Sequence, residues 1–217
     1  MDKPIDNFWD LSLRELKEAL IENNFDVHLA DSREQAKKVV LEDILPVLKP
    51  KSVSWGGSLT LADTGLYDHL CNCGEYDVLD TWDKSLSNEE KVERRRQALL
   101  VDCFFTGTNA VTESGYLVNL DMIGNRTGAI NFGPKNVVIF IGRNKIVPDV
   151  ERAIERIKEY VAPVNAMRLN MKTPCVKTGY CMDCDSPQRI CNTWTITEKS
   201  FPKGRIKVVL INEDLGF

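Results

Sequence analysis

Short apolar runs alternate with helical periodicities along this chain. Phe25–Leu29, Ser52–Trp55, Tyr76–Leu79, Cys103–Thr106 and Val137–Ile141 are rich in β-branched and aromatic residues, and their length predicts strands buried on both faces. Arg205–Asn212 predicts one more strand. Three capping boxes mark helix starts between them: Ser12-Leu-Arg-Glu15, Ser32-Arg-Glu-Gln35 and Ser87-Asn-Glu-Glu90. The first predicts a helix that carries Leu16 and Leu20 and ends near Asn23-Asn24. The second is followed by Ala36, Val39, Val40, Ile44 and Leu48 at helical spacing. The third carries Arg94, Arg95 and Arg96 after Glu89, Glu90 and Glu93, which reads as a solvated, salt-bridged face, with anion binding by the arginines as the alternative. A last helix is expected at Pro148-Asp149, with proline in its first position, burying Val150, Ile154, Ile157 and Val161. Strand alternating with helix predicts an α/β fold, a mainly parallel sheet with helices on both faces.

Composition narrows the partners. The net charge of −4 argues against general nucleic-acid binding, which needs a basic face. No apolar run approaches membrane-spanning length, so no membrane partner is expected. The start, Met1 to Asp6, has no apolar signal core, and a cytoplasmic location is expected. Thiols stay reduced there, which favours metal ligation over structural disulfides.

That matters because four of the seven cysteines, Cys175, Cys181, Cys184 and Cys191, fall in one turn-rich segment. Such a segment has no apolar stripe to bury. Four thiolates sharing zinc or an iron–sulfur cluster would replace the missing core. Two alternatives stand beside this: a Cys181-x-x-Cys184 redox pair, or inert buried thiols. His69 with Cys71 and Cys73 is a weaker second candidate, set against an ordinary helix-end histidine.

Three predicted strands run into glycine: Gly56-Gly57-Ser58, Gly107-Thr108-Asn109 and Gly142-Arg143-Asn144-Lys145. Ligands of open α/β sheets bind in the crevice outside the carboxyl ends of the strands, so the three ends suggest one shared pocket. Gly57 and Ser58 are also expected to open a helix from Leu59 to Leu70, whose first amides would suit an anion. The polar segment from Thr106 to Lys135 adds Glu113, a candidate general base or nucleophile whose alternative is an exposed turn carboxylate. Asn125 and Arg126 follow Gly124 in a second turn. Arg126 and Lys145 are candidates for a carboxylate or phosphate, against ordinary surface charge. Asn119 and Asp121, alternating with Val118 and Leu120, read as a solvent-facing strand edge.

The ordered series Gly56-Gly57-Ser58, Thr60-Leu61, Gly65-Leu66, Asn109-Ala-Val-Thr-Glu113-x-Gly115, Val118-Asn119, Gly124-Asn125-Arg126, Phe132-Gly133-Pro134-Lys135 and Gly142-Arg143-Asn144-Lys145-Ile146-Val147 resembles the LUD-domain family. The Cys-rich tail is similar to that of a stand-alone subgroup. The resemblance implies a single domain over residues 1–217, with an N-terminal helical segment at about 1–30 and a Cys-rich loop at about 171–193. It implies a three-layer α/β/α fold like those of sugar-phosphate isomerases and coenzyme A transferases. It further implies a link to the oxidation of lactate or a related organic acid beside an iron–sulfur partner subunit. The small anionic ligand would sit at the strand ends and the metal on the cysteines. An isomerase, hydrolase or acyl transferase using Glu113, or a non-enzymatic subunit of a redox complex, are the other expectations.

Overall fold

The computed structural model describes residues 3–217. Its strands are β1 (Asp26–Ala30), β2 (Ser52–Trp55), β3 (Asp77–Leu79), β4 (Cys103–Gly107), β5 (Ala110–Thr112), β6 (Leu117–Asp121), β7 (Asn136–Gly142), β8 (Ile146–Val147), β9 (Thr193–Thr197) and β10 (Ile206–Ile211). Its helices are α1 (Lys3–Glu22), α2 (Arg33–Val39), α3 (Leu45–Leu48), α4 (Leu59–Asp63), α5 (Leu66–Asn72), α6 (Asn88–Gln97), α7 (Asn125–Asn131), α8 (Val150–Arg156), α9 (Ala162–Arg168) and α10 (Pro174–Thr178).

Six strands form one sheet in the order β1-β10-β7-β4-β2-β3, with every neighbouring pair parallel. Its central strands read as largely apolar runs because successive side chains enter two different cores. Val137, Ile139 and Ile141 pack with Leu13, Leu16 and Leu20 of α1 and with Ile130 of α7. Val138 and Phe140 pack with Ala36, Leu61, Leu66 and Leu70 on the other face. Phe104 and Phe105 divide in the same way. The fold is therefore α/β with layers on both faces of a parallel sheet.

A second, mixed sheet, β8-β5-β6-β9, was not foreseen from the sequence. It turns Val111 and Leu117 into the first core and Ala110, Val118 and Leu120 onto Ile157 and Val161. Its interior strand β6, paired with β5 on one side and β9 on the other, explains a correction. Asn119 and Asp121, expected at a solvent-facing edge, are buried.

Three helix starts differ from expectation. Ser12 lies inside α1, which begins at Lys3 with Pro4 in its first turn, so the box there caps nothing. The helix expected from Leu59 to Leu70 breaks at Gly65, whose φ of +67° suits glycine. Thr64 Oγ1 closes the first piece by donating to the Leu61 carbonyl and opens the second by accepting from Leu66 N. Pro148 stands before α8 rather than in it, because Asp149 is the cap and accepts from Arg152 N. The box at Ser87 is complete, with Glu90 reaching back to Ser87 N.

Candidate functional site

Strands β7, β4 and β2 are neighbours in the sheet, so their glycine-marked carboxyl ends open side by side. A cleft of about 640 Å³ lies there. Gly57, Ser58, Gly107, Thr108 and Asn109 line it. So do Asn125, Arg126 and Lys145. Gly56, Gly142 and Asn144 do not line it. Gly56 N extends the β2–β4 pairing by donating to the Phe105 carbonyl, and a Cβ on Gly142 would stand 2.9 Å from Glu213 O and Leu215 N. Asn144 Oδ1 accepts from Leu215 N. These three shape the turn behind the cleft.

Glu113 also falls outside it. The side chain is exposed in the turn between β5 and β6, and its backbone N–H donates to the Val147 carbonyl. The anion site expected at the amides after Gly57 loses its basis too, since α4 spans five residues and carries little macrodipole.

Gly107 is the tightest point of the floor. A Cβ there would lie 2.5 Å from Ser58 Oγ and 3.3 Å from Phe140 O, and Ser58 Oγ is already fixed as the cap of α4 by the Leu61 N–H. Gly107→Ala is expected to cost about 1–3 kcal/mol in urea unfolding, and adding Ser58→Gly should return part of it. Equal losses in the single and double variants would contradict this contact.

Arg126 organises the walls. Nε donates to Asp121 Oδ1 at 3.0 Å, Nη1 to Gly107 O and Asn119 Oδ1, and Nη2 to Asn109 Oδ1, Leu120 O and Asp121 Oδ1. Every donor is spent on the protein. The residue read from sequence as an anion binder thus ties β4, the β4–β5 turn and β6 to α7.

Lys145 is different. It is 5% exposed, on the cleft lining, and its Nζ donates to Thr60 Oγ1 at 2.7 Å and Thr108 O at 3.1 Å. Both acceptors are neutral, and among the described residues no carboxylate forms an ion pair with it. Burial holds its ammonium down to about 7, helped by the positive charges of Arg156 and Arg126. Arg156 was missed from the sequence. Its guanidinium reaches under the cleft to the carbonyls of Asn109 and Asn144, and burial lowers its own pKa.

The four tail cysteines line a second, small pocket together with Lys158, Asp183 and Arg189. Ala162 and Ile190 belong to both pockets, so the Cys segment forms part of the cleft wall. Arg189 holds the segment by donating to Cys184 O, Cys191 O and Asp183 Oδ1. All four thiols are free. The Cys191 thiol is pushed up to about 11, first by burial and then by Cys181, with Cys175 and Cys184 adding to it. Among the described residues, no group of three His, Cys, Asp or Glu side chains stands in a metal-holding arrangement, His69 with Cys71 and Cys73 included.

A family model described as the LUD domain matches residues 13–211. The chain belongs to the LUD domain family. Among solved structures, this LUD-domain chain is similar to a DUF162 family protein from Deinococcus radiodurans, at 15% identity over 94% of this chain and 98% of that one, TM-score 0.49. It is also similar to a D-ribose-5-phosphate isomerase in complex with phospho-erythronic acid (15% identity, 63% and 66% covered, TM-score 0.34). A ribose 5-phosphate isomerase from Plasmodium falciparum gives 17% identity, 54% and 52% covered, and TM-score 0.30. No curated protein matches the chain. No described helix is long and apolar enough to cross a membrane.

Proposed function

We propose that this LUD-domain protein binds a small organic anion, lactate or a related organic acid, in the cleft at the strand ends, and serves in the oxidation of such acids. The observation that carries the reading is Lys145, a buried cation facing the cleft without a carboxylate partner. A buried charge without a counterion is costly unless a ligand supplies one. The rest of the lining agrees: its one acidic side chain, Asp121, is already paired with Arg126, while Arg168 adds positive charge. The link to lactate rests on the family resemblance. An isomerase or acyl transferase built on Glu113 has less support, because that carboxylate stands outside the cleft.

Calorimetric titration with lactate and pyruvate tests the cleft. The unmodified protein is expected to bind, and Lys145→Met to weaken binding by about tenfold or more. Unchanged affinity in a folded variant would overturn the reading.

The second part of the proposal is a metal ion or iron–sulfur centre on Cys175, Cys181, Cys184 and Cys191. Its support is the soft donor set and the shared pocket, where burial and the other three cysteines push up the Cys191 thiol and a cation would offset that. When bound, such a centre would supply structural cross-linking or one-electron chemistry, the latter toward an iron–sulfur partner subunit. Protein prepared without oxygen is expected to carry zinc or iron near one equivalent, and Cys181→Ser/Cys184→Ser to lose it. Metal-free protein with four titratable thiols in that segment would refute this part.

A further inference from the structure

We infer that the cleft is built for an elongated dianion, with one anionic end at Lys145 and the other at Arg95 and Lys84 on the opposite rim. This rests on the anion-binding reading of the cleft and extends it to the class of ligand. Size is the first observation. About 640 Å³ is room for a drug-sized ligand, far more than a three-carbon acid fills.

The placement of charge is the second. Lys145 follows β7, whereas Thr81, Trp82 and Lys84 follow β3. Sheet order puts β4 and β2 between them, so the two exits lie three strand spacings apart, roughly 14 Å. Lactate cannot touch both sides.

Arg95 is the third. Of the three arginines on α6, Arg94 is clamped to the β3 exit loop by Asp80 O and Asp83, and Arg96 pairs with Glu93. Arg95 is half-buried and lines the cleft, and among the described residues it has no hydrogen-bond or ion-pair partner. Lys84, on the same lining, likewise has no hydrogen-bond or ion-pair partner among the described residues. A guanidinium so placed suits bidentate capture of a carboxylate or phosphoryl group.

The lining also carries apolar surface. Trp82, on the β3 side, is fixed by its backbone N–H donating to Asp80 Oδ1 and by its tilted stack on Tyr67, at 4.8 Å between ring centroids. Met122, Ile123 and Leu169 keep exposed apolar surface along the same lining. A ligand with two anionic ends, long enough to cross the mixed polar and apolar lining between them, matches these groups.

Calorimetry on the full chain with lactate, suberate and 6-phosphogluconate tests the inference, using the unmodified protein, Arg95→Ala and Lys145→Met. Arg95→Ala removes a side chain without partners, so its thermal unfolding should match the unmodified protein. It is expected to weaken suberate, 6-phosphogluconate or both about tenfold while leaving lactate unchanged. Preference for suberate or for 6-phosphogluconate tells whether the far group is a carboxylate or a phosphoryl. If Lys145→Met abolishes binding but Arg95→Ala changes nothing, or changes lactate equally, the dianion inference fails and the cleft stands. If Lys145→Met changes nothing, or no probe binds, the cleft reading fails and this inference with it.

Discussion

Arg126→Leu is expected to destabilise the fold by about 3–5 kcal/mol, the largest loss of any single change proposed here. The reason is what it leaves behind. Asp121 and Arg126 have side chains only 9% exposed, joined at 2.8 Å, and the same guanidinium serves Asn109, Asn119 and two backbone carbonyls. Leucine fills much of the volume but leaves a buried carboxylate without its cation and takes a donor from four more acceptors, of which Asn109 Oδ1 and Asn119 Oδ1 keep others. A second change, Asp121→Asn, removes the stranded charge and should recover part of the loss, so the pair will not be additive. Urea unfolding of the two single variants and the double measures the coupling. A loss below about 1 kcal/mol for Arg126→Leu would mean that water replaces the guanidinium and that the walls do not depend on it.

Lys145→Met is expected to do the reverse, stabilising the fold while removing anion binding. Lys145 is held at about 7 in the fold, against an ordinary value of 10.5 in the unfolded chain. Below about pH 7 both states carry the proton, and the fold bears the full cost of a buried ammonium. Between there and 10.5 the unfolded chain holds a proton that the fold does not, so the unmodified protein gains stability as pH rises. The gain from methionine is therefore greatest below about pH 7 and fades toward pH 10. Allowing for the two hydrogen bonds lost at Thr60 and Thr108, it should reach roughly 2–3 kcal/mol at its largest. Thermal unfolding of both proteins at about pH 6 and about pH 9 decides it. A variant that is less stable at both values would show that Lys145 is a structural donor. A trade of stability for a charged binding group is common at functional sites.

Much of the scaffold was legible because two-sided burial leaves a plain signature. Val137 to Ile141 and Val208 to Ile211 are continuous apolar runs, and each lies in the sheet where the run predicts. The glycines at the ends of β2, β4 and β7 foretold which ends would converge, since tight turns require them. What failed was the inference from polar to exposed. Asn119 and Asp121 alternate with Val118 and Leu120 as an edge strand would, yet their polar atoms serve Arg126 inside the molecule. A sequence does not display a hydrogen-bond partner that is five or seven positions away and folded back. The three arginines were partly legible. They read as a salt-bridged face with anion binding as the alternative. Arg94 and Arg96 form the ion pairs, but a helix turns them in different directions, and only the neighbours at Asp80, Asp83 and Glu93 set Arg95 apart. Ser12 and Glu15 matched a capping pattern within a helix already nine residues old, where no amide needed a cap.

The protonation of Lys145 in the folded protein can be followed directly, by NMR of ε-carbon-labelled lysine across the pH range with and without a bound organic anion. A midpoint near 7 that climbs when the anion is added is the predicted result. A midpoint near the ordinary 10.5, unmoved by any anion, would contradict a cleft organised around a buried cation awaiting its counterion.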